Sequence, residues 1–143
     1  MNNLDLMKLA KKIFPLNRSL TGKGTLETLR YFKKVNSKII IKNVKSGKKI
    51  FDWEIPKEWN VADAYFEDQK KKKYCDFKKN NLHLVGYSIK KKGLLSFNQL
   101  YKNIYVDKDK PNSIPYVTSY YKKNWGFCMS FNNFKKLKKN QKY

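Results

Sequence analysis

The sequence predicts an α+β fold: two N-terminal helices followed by a mostly antiparallel β domain of about seven strands with one short helix inserted. Three observations carry that prediction. Apolar residues recur at helical spacing as far as about Val35. From Lys38 the pattern changes to short β-branched and aromatic runs separated by polar connections. Among those runs, Ser96-Phe97-Asn98-Gln99 has the spacing of a capping box, which opens a helix.

The first helix rests on Leu6, Met7, Ala10, Ile13 and Phe14, which share one face opposite Lys8, Lys11 and Lys12. Asn3 is placed to cap its start and Pro15 to stop it. The loop from Asn17 to Gly24 leads into a second helix from about Thr25 to Val35, with Leu26, Leu29 and Phe32 as its apolar stripe. A glycine-rich entry to a helix can bind an anion, but no strand leads into this one and the spacing is not that of a phosphate loop. Lys38 to Lys45 and Lys48 to Ile55 read as a hairpin turning at Ser46-Gly47. Val61 to Phe66 and Tyr74 to Phe77 read as a second strand pair around the lysines at 70 to 73, and Leu82 to Tyr87 as a further strand. The capping box then starts a short helix bearing Phe97, Leu100 and Tyr101. After a polar loop at Asp107 to Pro111 comes the stretch richest in large rings, Ile114 to Ser130. Its two halves, Tyr116 to Tyr121 and Trp125 to Met129, suggest a hairpin across Lys122-Lys123-Asn124 at the centre of the core. Gly126 marks a bulge or a place where another backbone or a ligand comes close. The lysine-rich exit from Phe131 to Tyr143 has one helical turn's worth of apolar spacing at Phe134 and Leu137.

Charge is the most conspicuous property. Lys and Arg number 33 against 11 acids, a net charge of +22, so phosphate polymers must be considered as partners. Yet Arg18 and Arg30 are the only arginines, and lysine lacks the planar fork that reads bases and clamps phosphates. Nucleic acid is therefore expected to bind only non-specifically. Seven of the acids lie between Asp52 and Asp76, but Asp52 and Glu54 alternate as water-facing strand residues do. Catalytic groups are sparse. One histidine, His83, and two distant cysteines, Cys75 and Cys128, make neither a zinc set nor a disulfide framework. No catalytic or metal-ligating residue is assigned. With no run of 18 apolar residues and no secretory segment, the expectation is a reduced, cytoplasmic protein with no membrane association.

Several phrases together resemble the bacterial aminopeptidase-like family. These are Phe14-Pro15-Leu16-Asn17-Arg18-Ser19-Leu20-Thr21-Gly22-Lys23-Gly24, then Phe51-Asp52-Trp53-Glu54-Ile55-Pro56-Lys57-Glu58-Trp59-Asn60 with Asp63-Ala64-Tyr65. Asn81 to Ser88, Ile114 to Tyr121 and Trp125 to Cys128 continue them in the same order. Members of that family are predicted zinc exopeptidases with an inserted β domain and a C-terminal winged-helix domain. The resemblance implies that residues 1–35 are the first helices of an incomplete peptidase-type domain, 38–130 an inserted-type β domain, and 131–143 a basic tail. The family's His-Pro and Asp-Asn metal motifs have no counterpart here, so zinc is implied for full-length relatives and no cofactor for this segment. The implied function is the substrate-facing N-terminal portion of a truncated or split aminopeptidase-like protein, inactive alone. Arg18, Ser19, Thr21, His83, Tyr120, Tyr121 and Trp125 are its candidate contacts to a peptide-like substrate. A downstream polypeptide would complete the domain, and without it the exposed helix faces are expected to self-associate. The competing reading is a free-standing, basic, β-rich binding module for nucleic acid or another anionic polymer.

Overall fold

In the computed structural model, which describes residues 5–120 and 122–143, the first helix begins where a carboxylate can cap it. The Asp5 side chain accepts the Lys8 backbone N–H at 3.0 Å and starts α1 (Leu6–Ile13). Asn3, the cap expected from sequence, lies outside the described residues. The second helix, α2 (Lys23–Val35), opens two residues before Thr25, directly after Gly22. Lysines close both helices, at 11 and 12 and at 33 and 34, where the helix dipole favours a cation.

Two compact units make up the chain, Met1–Asn60 and Val61–Tyr143. The first holds both helices and a hairpin of β1 (Lys49–Ile50) and β2 (Trp53–Glu54), paired antiparallel with Ile50 opposite Trp53. This corrects the expected hairpin. The reversal falls at Phe51-Asp52, with Phe51 at φ +55°, instead of at Ser46-Gly47. Gly47, at φ +84°, makes a separate turn that leads in, and its N–H donates to the Ile55 carbonyl at 2.8 Å. Lys48 to Ile50 thus pairs forward with Trp53 to Ile55, and Lys38 to Lys45 forms no strand.

In the second unit β3 (Phe66–Glu67) and β4 (Lys73–Tyr74) form the expected antiparallel pair. Its turn is held by Asp68, whose carboxylate accepts the N–H groups of Lys70 at 2.9 Å and Lys72 at 3.0 Å and the Tyr74 hydroxyl at 3.2 Å. A 3-10 turn at Asn81–His83 replaces the start of the strand expected from Leu82. Ser96 and Gln99 close a reciprocal capping box on α3 (Phe97–Tyr101). Parallel pairing of β5 (Ile104–Tyr105) with β6 (Phe127–Cys128) follows, and then α4 (Phe131–Phe134). Two antiparallel pairs, one parallel pair and isolated bridges give the α+β architecture its mostly antiparallel β part.

The stretch from Ile114 to Ser130 is central, but it is not a hairpin. Its halves are separated by the segment Leu84-Val85-Gly86. The Val85 N–H donates to the Gly126 carbonyl at 3.0 Å, while the next N–H, of Gly86, donates to Val117 at 2.8 Å on the other side. Phe127 is further claimed by β5, its N–H donating to the Asn103 carbonyl at 2.8 Å. Gly126 permits this crowding. A Cβ there would stand 2.8 Å from both the Asn103 carbonyl oxygen and the Tyr105 ring. Val85 and Cys128 are completely buried, and Leu100, Met129, Leu137 and Tyr143 are buried in one core cluster with Phe66, Cys75, Phe97 and Phe127. The Phe66 ring stacks on Tyr74 and meets Phe127 and Tyr143 edge-on, with centroids 5.2–5.6 Å apart. Tyr116, by contrast, is exposed.

Candidate functional site

The candidate residues are divided between the two units, and each group has its own scaffold. In the first unit the loop from Asn17 to Gly24 is closed by its own hydroxyls. Ser19 donates to the Thr21 carbonyl, Thr25 donates to the Ser19 carbonyl, and Thr28 returns to the Gly24 carbonyl at 2.8 Å. Thr21 donates to the Lys57 carbonyl at 3.2 Å, and the Lys23 N–H at the start of α2 donates to the Asn60 side chain at 2.7 Å. Two stretches about 37 residues apart in sequence are thereby laced together. Glycine is needed at both crowded points. A Cβ on Gly22 would stand 2.6 Å from the Trp59 carbonyl oxygen, at a φ of +116°, and one on Gly24 would run into the Asn17 carbonyl.

These bonds decide what the loop can offer. The Ser19 and Thr21 hydroxyls spend their protons on backbone carbonyls, and Asn60 occupies a donor that an anion would need. Arg18 is exposed, and the ion pairs formed among the described residues, Lys71–Glu67 and Lys78–Asp63, do not include its guanidinium. Trp59 and Asn60 were missed as contributors by the sequence reading. Their signal was only that they belong to a phrase shared with the aminopeptidase-like family.

In the second unit His83 ends the 3-10 turn with Nδ1 2.8 Å from the Cys128 carbonyl oxygen. A carbonyl can only accept, so Nδ1 carries the proton and Nε2 is the nitrogen left to meet a ligand. The same carbonyl receives the Cys75 thiol at 3.6 Å. Tyr120 sets its ring edge-on to Tyr87, with centroids 4.9 Å apart, and Trp125 sets its ring edge-on to Phe127 at 6.4 Å. Asn124 donates to the Tyr105 hydroxyl at 3.1 Å. Tyr121 lies outside the described residues.

Neither thiol is chemically poised. Burial holds Cys75 protonated far above the ordinary thiol range, with the neighbouring Cys128 adding to the effect. Burial likewise pushes Cys128 up to about 11, against a lowering by the Val117 backbone. Both are free cysteines, and His83 reaches the carbonyl of Cys128 instead of its sulfur. A thiolate–imidazole pair is not assembled here. Among the described residues no group of three or more His, Cys, Asp or Glu side chains is placed to hold a metal ion. Nor is any described helix long and apolar enough to cross a membrane.

Comparison with known proteins adds three findings. Residues 58–143 match the family described as a domain of unknown function, DUF2172. Over 133 residues, 93% of this chain, the sequence is 41% identical to a Clostridium acetobutylicum protein called "Putative polysaccharide biosynthesis protein with aminopeptidase-like domain", of which it covers 30%. A crystal structure of a "putative peptidase" from Clostridium acetobutylicum matches with a TM-score of 0.92 and 39% identity, over 96% of this chain and 32% of that one. This chain therefore spans about a third of the length of the relatives it matches.

Proposed function

The chain belongs to the DUF2172 family and is homologous to part of larger aminopeptidase-like proteins, and we propose that it supplies a substrate-facing surface to such a protein while contributing none of its catalytic groups. The observation that carries this reading is the match of 96% of this chain to 32% of a protein called a "putative peptidase", by a chain whose described residues form no metal cluster. Zinc does not fit the residues present. His83 is the single histidine, no group of three or more possible ligands gathers among the described residues, and both thiols are buried and protonated. In a complete relative the zinc and the groups that activate water would come from other parts of the chain.

What this segment offers instead is recognition. Arg18 presents a planar fork suited to a carboxylate of a peptide-like substrate. Tyr120 and Trp125 present rings whose orientation is fixed by packing, and His83 presents Nε2. Two unpaired cysteines fit a reducing, cytoplasmic compartment.

The experiment is a graft. This chain replaces the homologous third of the Clostridium acetobutylicum relative, and peptide hydrolysis is followed on dipeptides and aminoacyl anilides. The grafted protein is expected to hydrolyse them, and the isolated chain with added zinc is not. Arg18→Ala in the graft is expected to raise KM about tenfold with kcat nearly unchanged, the loss of one charge-assisted hydrogen bond. Hydrolysis by the isolated chain, or a KM indifferent to Arg18, Tyr120 and Trp125 alike, would overturn the reading.

A further inference from the structure

Among the described residues of the first unit no apolar side chain is buried. No residue of α1 is buried, and α2 buries only Thr28. Leu6 is 67% exposed and Phe14 81%, while Leu29, Phe32 and Val35 along α2 are each more than a third exposed. Phe51, at the tip of the β1–β2 hairpin, is 100% exposed and sits at φ +55°. A bulky residue with a Cβ is an unfavourable choice for that left-handed position, where Gly or Asn would serve the turn better. Full exposure leaves the ring no burial within the unit to offset that cost. Exposed apolar surface of this extent marks an interaction site.

The occupant follows from the comparison with the longer relatives. The fold of this chain recurs, with a TM-score of 0.92, in a protein of which it covers 32%. The same segment is therefore accompanied in that protein by about twice its own length of further chain. We propose that the apolar stripes of α1 and α2, with Phe51 as an anchor, are a docking surface for a folded polypeptide equivalent to that remaining two-thirds. This rests on the reading of the chain as part of an aminopeptidase-like protein, and it names the partner that reading requires.

The test compares two whole proteins, the isolated chain and the graft into the Clostridium acetobutylicum relative. Hydrogen exchange over 6–35 and 49–54 is expected to be at least tenfold slower in the graft, because a bound neighbour excludes water from these stripes. Leu6→Asp with Phe14→Asp, at the most exposed positions of the α1 stripe, is expected to lower the melting temperature of the graft and leave that of the isolated chain nearly unchanged. Equal exchange in both proteins, equal effects of the double substitution, or a graft that does not fold would overturn the proposal. So would an isolated chain that sediments as a dimer dissociated by the same substitutions, which would make a second copy the occupant. Protection in a graft that hydrolyses no peptide would uphold the docking surface while refuting the proposed function.

Discussion

Gly126→Ala probes the strand arrangement at its tightest point. The added Cβ would meet the Asn103 carbonyl oxygen and the Tyr105 ring at 2.8 Å and the Val85 side chain at 3.1 Å. The side chains have some freedom, but the carbonyl does not, because it is the acceptor for the Phe127 N–H at 2.8 Å. Moving it away weakens that bond and loosens the parallel pairing of β5 with β6. Overpacking in a dense core costs about 1–3 kcal/mol, and a buried donor left without its acceptor costs a similar ~1–3 kcal/mol. The two overlap, so a net loss of about 2–3 kcal/mol is expected. At roughly 4–8 °C per kcal/mol for a unit of this size, the melting temperature should fall by roughly 10–20 °C. Thermal unfolding by circular dichroism measures the fall, and amide exchange at Phe127 and Met129 locates it. Leu94→Ala, at an exposed position, serves as the control. A melting temperature within 2 °C of the parent, with the Phe127 amide still protected, would refute the packing argument (a threshold of roughly the size set by a fraction of a kcal/mol).

Three further outcomes are expected. Cys75 and Cys128 should resist a thiol reagent at neutral pH in the native chain and react at once in denaturant, and rapid native labelling would show that the second unit opens easily. Because the folded pKa of Cys128 is raised from 9.0 to about 11, the unfolded chain releases its proton first. That contribution to stability is full below about pH 9 and is lost as pH rises towards about 11, so denaturant midpoints that do not decline across this range would contradict it. Oligonucleotide binding should be indifferent to sequence and fall steeply with salt, since lysine charge alone supplies only counterion release. A sequence preference that survives high salt, measured by fluorescence anisotropy, would contradict that.

Local features were legible in the sequence wherever the deciding atoms lie within a few residues of each other. The capping box at Ser96 and Gln99 and the stripes of α1 and α2 are of this kind. So is the β3–β4 turn, where Asp68 organises the lysines after it. Long-range pairing was not legible. Alternation identifies Tyr116 to Tyr121 and Trp125 to Met129 as strand-like but not their partners, and each is bonded to residues about thirty or more positions earlier at Leu84 to Gly86. The β1–β2 turn was missed because Phe51 occupies a left-handed position that sequence rules assign to Gly or Asn, while Gly47 nearby offered a more obvious reversal. At the candidate site, the hydroxyls of the Ser19 loop drew attention as ligand contacts. Only their bonds show that they hold the loop shut against the backbone.

The distribution of buried surface explains how one chain can be well packed in one place and bare in another. Among the described residues every buried apolar side chain lies between Phe66 and Tyr143. Tyr143 exchanges both backbone hydrogen bonds with Leu95, at 2.8 and 2.9 Å, and its hydroxyl bridges the N–H and carbonyl of Lys138. A core of this kind fixes the rings packed on it, Trp125 among them. The first unit is ordered by different means: helix capping, a hydroxyl-laced loop and glycines in close contact with carbonyls. Those devices fix backbone without burying side chains, so the apolar stripes remain available. The lysine excess then has a physical consequence of its own. With only two ion pairs formed among the described residues, both exposed, most of the positive charge is uncompensated and copies of the chain repel one another. Repulsion opposes pairing of the bare stripes with a second copy, most strongly at low salt. A less basic partner meets no such barrier.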